Sequence, residues 1–185
     1  MNHHRWFNDE KERRRWQNPE AILADIGLRP GFTFMDIGCG DGFFALPAAR
    51  LVGKKGKVYG LDVDGEAIDR LKQKAMKEGL ENLSLEVGEA EDTVLREACA
   101  DIVFFGINLH DFRNPREVLM NAKRMLKPTG RLIDLDWKKE PMEIGPPLPI
   151  RFSYEKAVRL IKAAGFIIDE VKEAGPYHYL VVAKP

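Results

Sequence analysis

The strongest constraint in this chain is a run of seven residues, Asp36-Ile37-Gly38-Cys39-Gly40-Asp41-Gly42. Its three glycines alternate directly after a short apolar segment, Thr33–Ile37, and directly before an apolar helical pattern at 44–52. Glycine accepts turns that other residues resist and lets another group approach the backbone closely. The helix that follows offers backbone N–H groups without helical partners. A strand, a glycine turn and a helix in that order begin an open α/β sheet. Ligands of such sheets lie beyond the C-terminal strand ends, at the point where strand order reverses.

The rest of the chain alternates in the same way. Strand candidates stand at 57–61, Leu83–Val87, 101–105, 131–135, 166–171 and 177–183. Between them the spacing predicts a helix at 66–77 capped by Asp64. A second helix starts at Asn114-Pro115, with Lys127 in its last turns and Pro128 as its stop. A third is capped by Ser153 and closed by Gly165. Upstream, Asn18 caps a helix with Pro19 at its first position, and Gly27 and Pro30 close it. Residues 138–150 carry four prolines, at 141, 146, 147 and 149, and read as a loop. This order means α/β, with helices on both faces of a mostly parallel sheet. The short break Ala174-Gly175-Pro176 permits the last strand to run antiparallel. Residues 18–185 read as one domain, and residues 1–17, charged and aromatic without clear period, as a loose or lid-like arm.

Composition narrows the partners. Lys+Arg and Asp+Glu are both 29, and zero net charge argues against a protein that coats nucleic acid or anionic membrane. Two distant cysteines, Cys39 and Cys99, supply neither a disulfide framework nor a metal cluster. No apolar run reaches the ~18 residues of a membrane span. The segment MNHHRWFNDEKERRRWQ has no apolar core of a secretory signal. The expectation is a soluble, cytoplasmic domain with no metal.

Four strand ends carry candidate chemistry. At the first, the spacing is GxGxG and position 43 is Phe, where a dinucleotide fingerprint needs Gly. Asp36 would repel a pyrophosphate but suits a ligand with an ammonium or sulfonium group. At the second, Asp62 can accept from both hydroxyls of a ribose, or serve as a solvated loop acid. At the third, Glu89 could accept from an adenine amine and the Ala90 N–H could donate to a ring nitrogen, though a surface turn fits as well. At the fourth, Gly106 brings backbone close to a ligand, and His110 and Asp111 sit at the mouth of the site. Either a catalytic or a structural histidine fits that position.

Together these ends resemble the class I S-adenosylmethionine-dependent methyltransferases. DIGCGDG is similar to their glycine motif, VYGLDVD to the ribose-binding acid, and VGEAED to the adenine-contacting motif, where the family often has Asp in place of Glu89. ADIVFFGINLHDF and MLKPTGRLIDLDW resemble the strand-four motif and the helix–strand hairpin after it. The motifs span residues 20–136, and the element order spans all 185. The chain looks most like the UbiE-like branch, methyltransferase type 11 or 25, whose short members are similar at RRRWQNPE and DWKKE…GPP.

The resemblance implies a Rossmann-like, three-layer, seven-stranded sheet with the last strand reversed. It implies S-adenosylmethionine held by Asp36, Gly38, Cys39, Gly40, Asp62, Val63, Glu89, Ala90 and Gly106, with S-adenosylhomocysteine as product. Val63 and Leu109 would sandwich the adenine. The reaction it implies is an in-line displacement, which needs alignment and water exclusion more than it needs a catalytic triad. His110 and Asp111 are the catalytic candidates. Trp16, Trp137 and Lys138 are candidates for the substrate side, although the tryptophans also fit as packing anchors. Arg13-Arg14-Arg15 reads either as a phosphate or RNA contact or as an ion-paired arm.

Several acceptor classes are disfavoured. Gly106-Ile107-Asn108-Leu109 lacks the Pro-Pro-aromatic motif of amino-methylating nucleic-acid enzymes, and Cys99 precedes the strand after which a cytosine enzyme needs its cysteine. Arsenite-type thiols are missing, and Asp111, Asp134 and Asp136 do not match a catechol-type metal cluster. A small-molecule acceptor is the expectation. RNA or protein acceptors, or a cofactor-binding module without transfer, stay open. A nicotinamide oxidoreductase is disfavoured by Phe43 and Asp36.

Overall fold

The computed structural model describes residues 10–185; of the expected arm at 1–17, residues 1–9 lie outside the described residues. Among the described residues seven strands form one sheet. They are β1 (Thr33–Ile37), β2 (Lys57–Asp62), β3 (Leu83–Val87), β4 (Ala100–Gly106), β5 (Leu126–Trp137), β6 (Ile167–Ala174) and β7 (His178–Lys184). Their spatial order is β3-β2-β1-β4-β5-β7-β6. β1 to β5 are parallel neighbours, and β7 runs antiparallel between β5 and β6. Strand order reverses between β1 and β4, so the glycine turn after β1 opens at the switch point.

Among the described residues six α-helices accompany the sheet: α1 (Glu10–Trp16), α2 (Pro19–Asp25), α3 (Ala45–Val52), α4 (Gly65–Lys77), α5 (Pro115–Met125) and α6 (Tyr154–Ala163). Leu23, Ala48, Ala49, Ile68 and Leu71, from α2 to α4, bury themselves on one face with Phe34, Phe104 and Ile133. Val118, Leu119, Ala157 and Ile161, from α5 and α6, cover the other face with Met35, Val103, Phe105 and Leu132. Alternate residues of β1, β4 and β5 thus feed two separate apolar layers, as strands buried on both faces must. Asn18, Asp64, Asn114 and Ser153 each cap their helix through a side-chain oxygen, a contact worth about 1 kcal/mol each.

Two readings of the chain need correction here. Residues 10–16 form helix α1 although they show no apolar period, because its inward contacts are aromatic and cationic. The helix expected to reach Lys127 ends at Met125. Leu126 is already extended and pairs with Ala100, and a register shift between Ala100 and Ile102 accommodates the turn that follows. Proline at 128 pushes Lys127 away from helical geometry, and Lys127 Nζ bonds Asp101 Oδ1 at 2.7 Å. β5 therefore runs well beyond 131–135 and carries Asp136 and Trp137 within the sheet.

Candidate active site

The glycine turn is held from two sides. Gly38 and Cys39 donate their N–H groups to Leu61 O at 2.7 and 3.0 Å, which ties the turn to β2. From β4, Asn108 Nδ2 donates to Ile37 O at 2.6 Å. Gly38 has φ 76°, and a Cβ there would lie 2.1 Å from Asn108 Nδ2. The close approach at Gly38 is thus made by a neighbouring side chain. Gly40 differs: its φ is 53°, and a Cβ would meet nothing within 4 Å. Open space lies at Gly40.

Two acids stand at the glycine turn. Asp62 Oδ2 accepts from Gly40 N at 2.7 Å and Oδ1 from Asp64 N at 2.9 Å. Asp62 is therefore a held carboxylate rather than a free one, with lone pairs left beyond the two backbone bonds. Asp36 is buried, and its Oδ2 has no hydrogen-bond partner. Burial, and then the charge of Asp62, push the Asp36 carboxyl up to about 7, while Arg13 and the Ala45 N–H pull it back. Asn108 Oδ1 is likewise buried without a partner. Unsatisfied buried acceptors are uncommon in native proteins. Two of them flanking a glycine turn fit a ligand that brings hydrogen-bond donors and positive charge.

The remaining expected cofactor residues are placed unevenly. Val63 is 60% exposed. Glu89 is exposed and lies 3.8 Å from Arg113, while Ala90 is buried with its carbonyl taken by Asn121 Nδ2 at 3.1 Å. Leu109 corrects the expected adenine sandwich. It has no exposed surface and packs among the apolar residues of the α5 face, so it offers no wall to a ligand. Cys39 contributes backbone only, since its buried side chain packs over Gly60. At Gly106 a Cβ would meet the Phe44 ring at 3.0 Å, so that glycine makes room for a ring.

The end of β5 carries a second cluster. His110 stands on a one-turn 3-10 helix, Leu109–Asp111, with a buried side chain. Its Nδ1 lies 2.8 and 2.9 Å from the two oxygens of Asp136, and its Nε2 lies 3.3 Å from Asp111 Oδ1. Burial pulls the imidazole down, but Asp136 and Asp111 raise it further, and the net shift is upward. Asp136 is fully buried and also accepts from the Trp137 N–H at 2.7 Å. Two residues earlier on the same face, Asp134 has both oxygens buried without partners, as does the Tyr179 hydroxyl opposite Asp136. Burial and the Asp136 charge raise Asp134 far above the usual carboxylate range.

Trp137 belongs to packing, contrary to a substrate-side role: it is buried, with Trp16 at 5.4 Å and His178 at 4.4 Å between ring centroids. Trp16 also stacks on His178 at 5.7 Å. Lys138 binds Glu173 at 3.0 Å and lines a cavity of about 480 Å³ floored by Tyr179. The 138–150 loop is anchored by Arg151. That buried guanidinium donates to the carbonyls of Pro146 at 2.6 Å, Glu140 and Ile144 at 3.0 Å, and Lys138 at 3.4 Å. Sequence reading missed Asp136 as the partner of His110, and missed Asn108 and Arg151. Only the alternation LIDLDW, acids on one face of an apolar strand, hinted at the first.

Comparison with known proteins adds four findings. A family model described as a methyltransferase domain matches residues 28–145. The chain is 31% identical over 111 residues to nocamycin O-methyltransferase of Saccharothrix syringae, covering 60% of this chain and 40% of that protein. It is 27% identical over 131 residues to demethylmenaquinone methyltransferase of Staphylococcus aureus, covering 71% of this chain and 51% of that protein. The chain thus spans about half the length or less of these two relatives. Among solved structures it is similar to a SAM dependent methyltransferase from Aquifex aeolicus, with TM-score 0.88 and 32% identity over 95% of this chain and 97% of that one.

Proposed function

The chain belongs to the methyltransferase domain family, and from that premise we propose that it transfers a methyl group from S-adenosylmethionine to a small-molecule acceptor. The observation that carries this reading is the pair of acids at the glycine turn, Asp36 buried with an unsatisfied oxygen and Asp62 bonded to Gly40 N. S-adenosylmethionine, when bound, supplies a methyl group on a positively charged sulfur, ready for in-line displacement.

The chain's residues divide the work. Asp36 and the Asn108 carbonyl accept from the ammonium end, where both are otherwise unsatisfied. Asp62 accepts from ribose hydroxyls through its remaining lone pairs. Val63, Glu89 and the backbone at Ala90 border the base. The nocamycin relative is named as an O-methyltransferase, and an oxygen acceptor loses a proton as it is methylated. His110 handles that proton. Asp136 fixes the Nδ1 side of the ring, and the Asp111 carboxylate, 22% exposed, connects Nε2 to the site mouth. The 480 Å³ cavity beside Lys138 and Tyr179 has the size of a small-molecule site.

The first test is a thermal-shift panel with S-adenosylmethionine, S-adenosylhomocysteine, NAD and ATP. A ligand at about 100 times its Kd adds ~2.7 kcal/mol to the folded state. The expected result is a raised midpoint with the first two only. A shift with NAD alone, or with none of the four, overturns the reading.

A further inference from the structure

Helix α1 turns one of its three consecutive arginines inward. Arg14 faces solvent and pairs with Glu10 at 3.0 Å and Glu20 at 2.9 Å, and Arg15 is exposed. Arg13 lies over the Phe43 ring, 3.7 Å from its centroid, and 5.5 Å from that of Phe44. Both rings follow the glycine turn directly. Arg13 Nε donates to the buried Gln17 Oε1 at 2.7 Å, which sets the orientation of its fork. At its other end α1 is fixed by Trp16 against Trp137 and His178. The helix therefore spans the rim from the glycine turn to the end of β5.

A cation placed there answers a problem of charge. The amino-acid tail of the cofactor carries an ammonium and a carboxylate. Asp36 suits the first and repels the second, as does Asp62 beside it. The second cation near the turn, Lys74, is held by Asp41 Oδ2 at 2.7 Å and Asp41 O at 3.1 Å. A guanidinium is the planar, bidentate partner that a carboxylate favours. Resting on the proposed cofactor, we infer that Arg13 binds the carboxylate of the amino-acid tail whose ammonium Asp36 holds. Helix α1 then forms one wall of the cofactor site, and its docking and cofactor binding support each other. Desolvation of the half-buried Arg13 pulls its guanidinium down to about 9, against the opposing charges of Asp36, Asp41 and Glu10.

The test is calorimetry on the full chain with two probes. S-adenosylhomocysteine has the amino-acid tail, and 5′-methylthioadenosine lacks it. Arg13→Gln is expected to weaken the first by about 10- to 100-fold, the range for losing a charge-assisted hydrogen bond, and to leave the second within about twofold by the same logic. Arg13→Lys should fall between wild type and Arg13→Gln, since it keeps the charge without the fork. Urea midpoints of both variants report whether the fold is kept. Unchanged or tighter binding of S-adenosylhomocysteine by Arg13→Gln overturns the inference, because α1 would then be a passive cover or a plug. Equal weakening of both probes also overturns it, since that would mean lost packing. A wild type that binds neither probe removes the cofactor reading itself, a failure visible before any variant is made.

Discussion

The two ends of the candidate site are built by opposite strategies. The β1–β2 end is made of backbone: a glycine turn held by main-chain bonds to Leu61, with Asp62 read by two N–H groups. The β5–β7 end is made of buried side chains: His110, Asp134, Asp136, Tyr179 and Arg151. Backbone bonds tolerate change in neighbouring side chains, and they fix a shape that suits one constant ligand. A buried ionisable network fails when one member is removed, because the remaining charge is left in a medium of low polarity.

The sharpest way to break the comparison is Gly40→Val. The open space around it means the new side chain meets no protein atom, although its φ of 53° puts strain on any side chain there, so the melt is read beside the binding. We expect S-adenosylhomocysteine binding to fall below detection in calorimetry, with a cooperative melt retained. Full binding would remove the glycine turn from the site. Next is His110→Ala, which leaves Asp136 buried and unpaired. We expect a loss of about 3 kcal/mol in urea unfolding, and a loss under ~1 kcal/mol would mean that water replaces the ring easily. Asp62→Ala should cost ~1–3 kcal/mol of cofactor affinity, visible as a weaker calorimetric Kd.

A pH experiment sharpens the contrast further. The Asp36 carboxyl is raised from 3.8 to about 7, so the folded state holds a proton that the unfolded state has lost between those values. Its contribution to stability therefore falls as pH rises across that window and levels off above it. Asp36→Asn should gain in melting temperature over wild type from about pH 4 to 7 and hold that gain above, while losing cofactor affinity. A cationic ligand favours the ionised form, so binding to wild type near pH 6 should release up to about one proton, measurable by calorimetry in two buffers of different ionisation heat. No proton release would place the ligand's positive charge away from Asp36. The smallest effect is expected at Lys138→Ala. Its pair with the exposed Glu173 is worth under about 1 kcal/mol, and a larger loss of stability would show a structural role for the cavity wall.

The same contrast decides how much the chain discloses before folding. The glycine turn, Asp36, Asp62 and the four helix caps are local, and each is legible because strand, turn and helix are contiguous. The strand order and the reversed β7 follow from alternation and from one short connection. The β5 end is different. His110 and Asp136 are 26 residues apart and meet only through the pairing of β4 with β5. Leu109, read as a ligand wall from its place in a motif, lies in the core because the 3-10 turn points it at the α5 face. Arg13 could not be told from Arg14 and Arg15, since a helix without an apolar period does not announce which side faces inward.

Arg151 binds its loop through four carbonyl oxygens and through no side chain of the segment it anchors. Every residue type presents the same carbonyl. Met142 and Ile144 pack against the core, but the loop's exposed side chains are thereby released from the duty of holding its path, and Glu143 or Leu148 can be exchanged while the anchor persists. In evolutionary terms, this is a stretch whose exposed surface can change one substitution at a time, without the chain first having to invent a new way to fold.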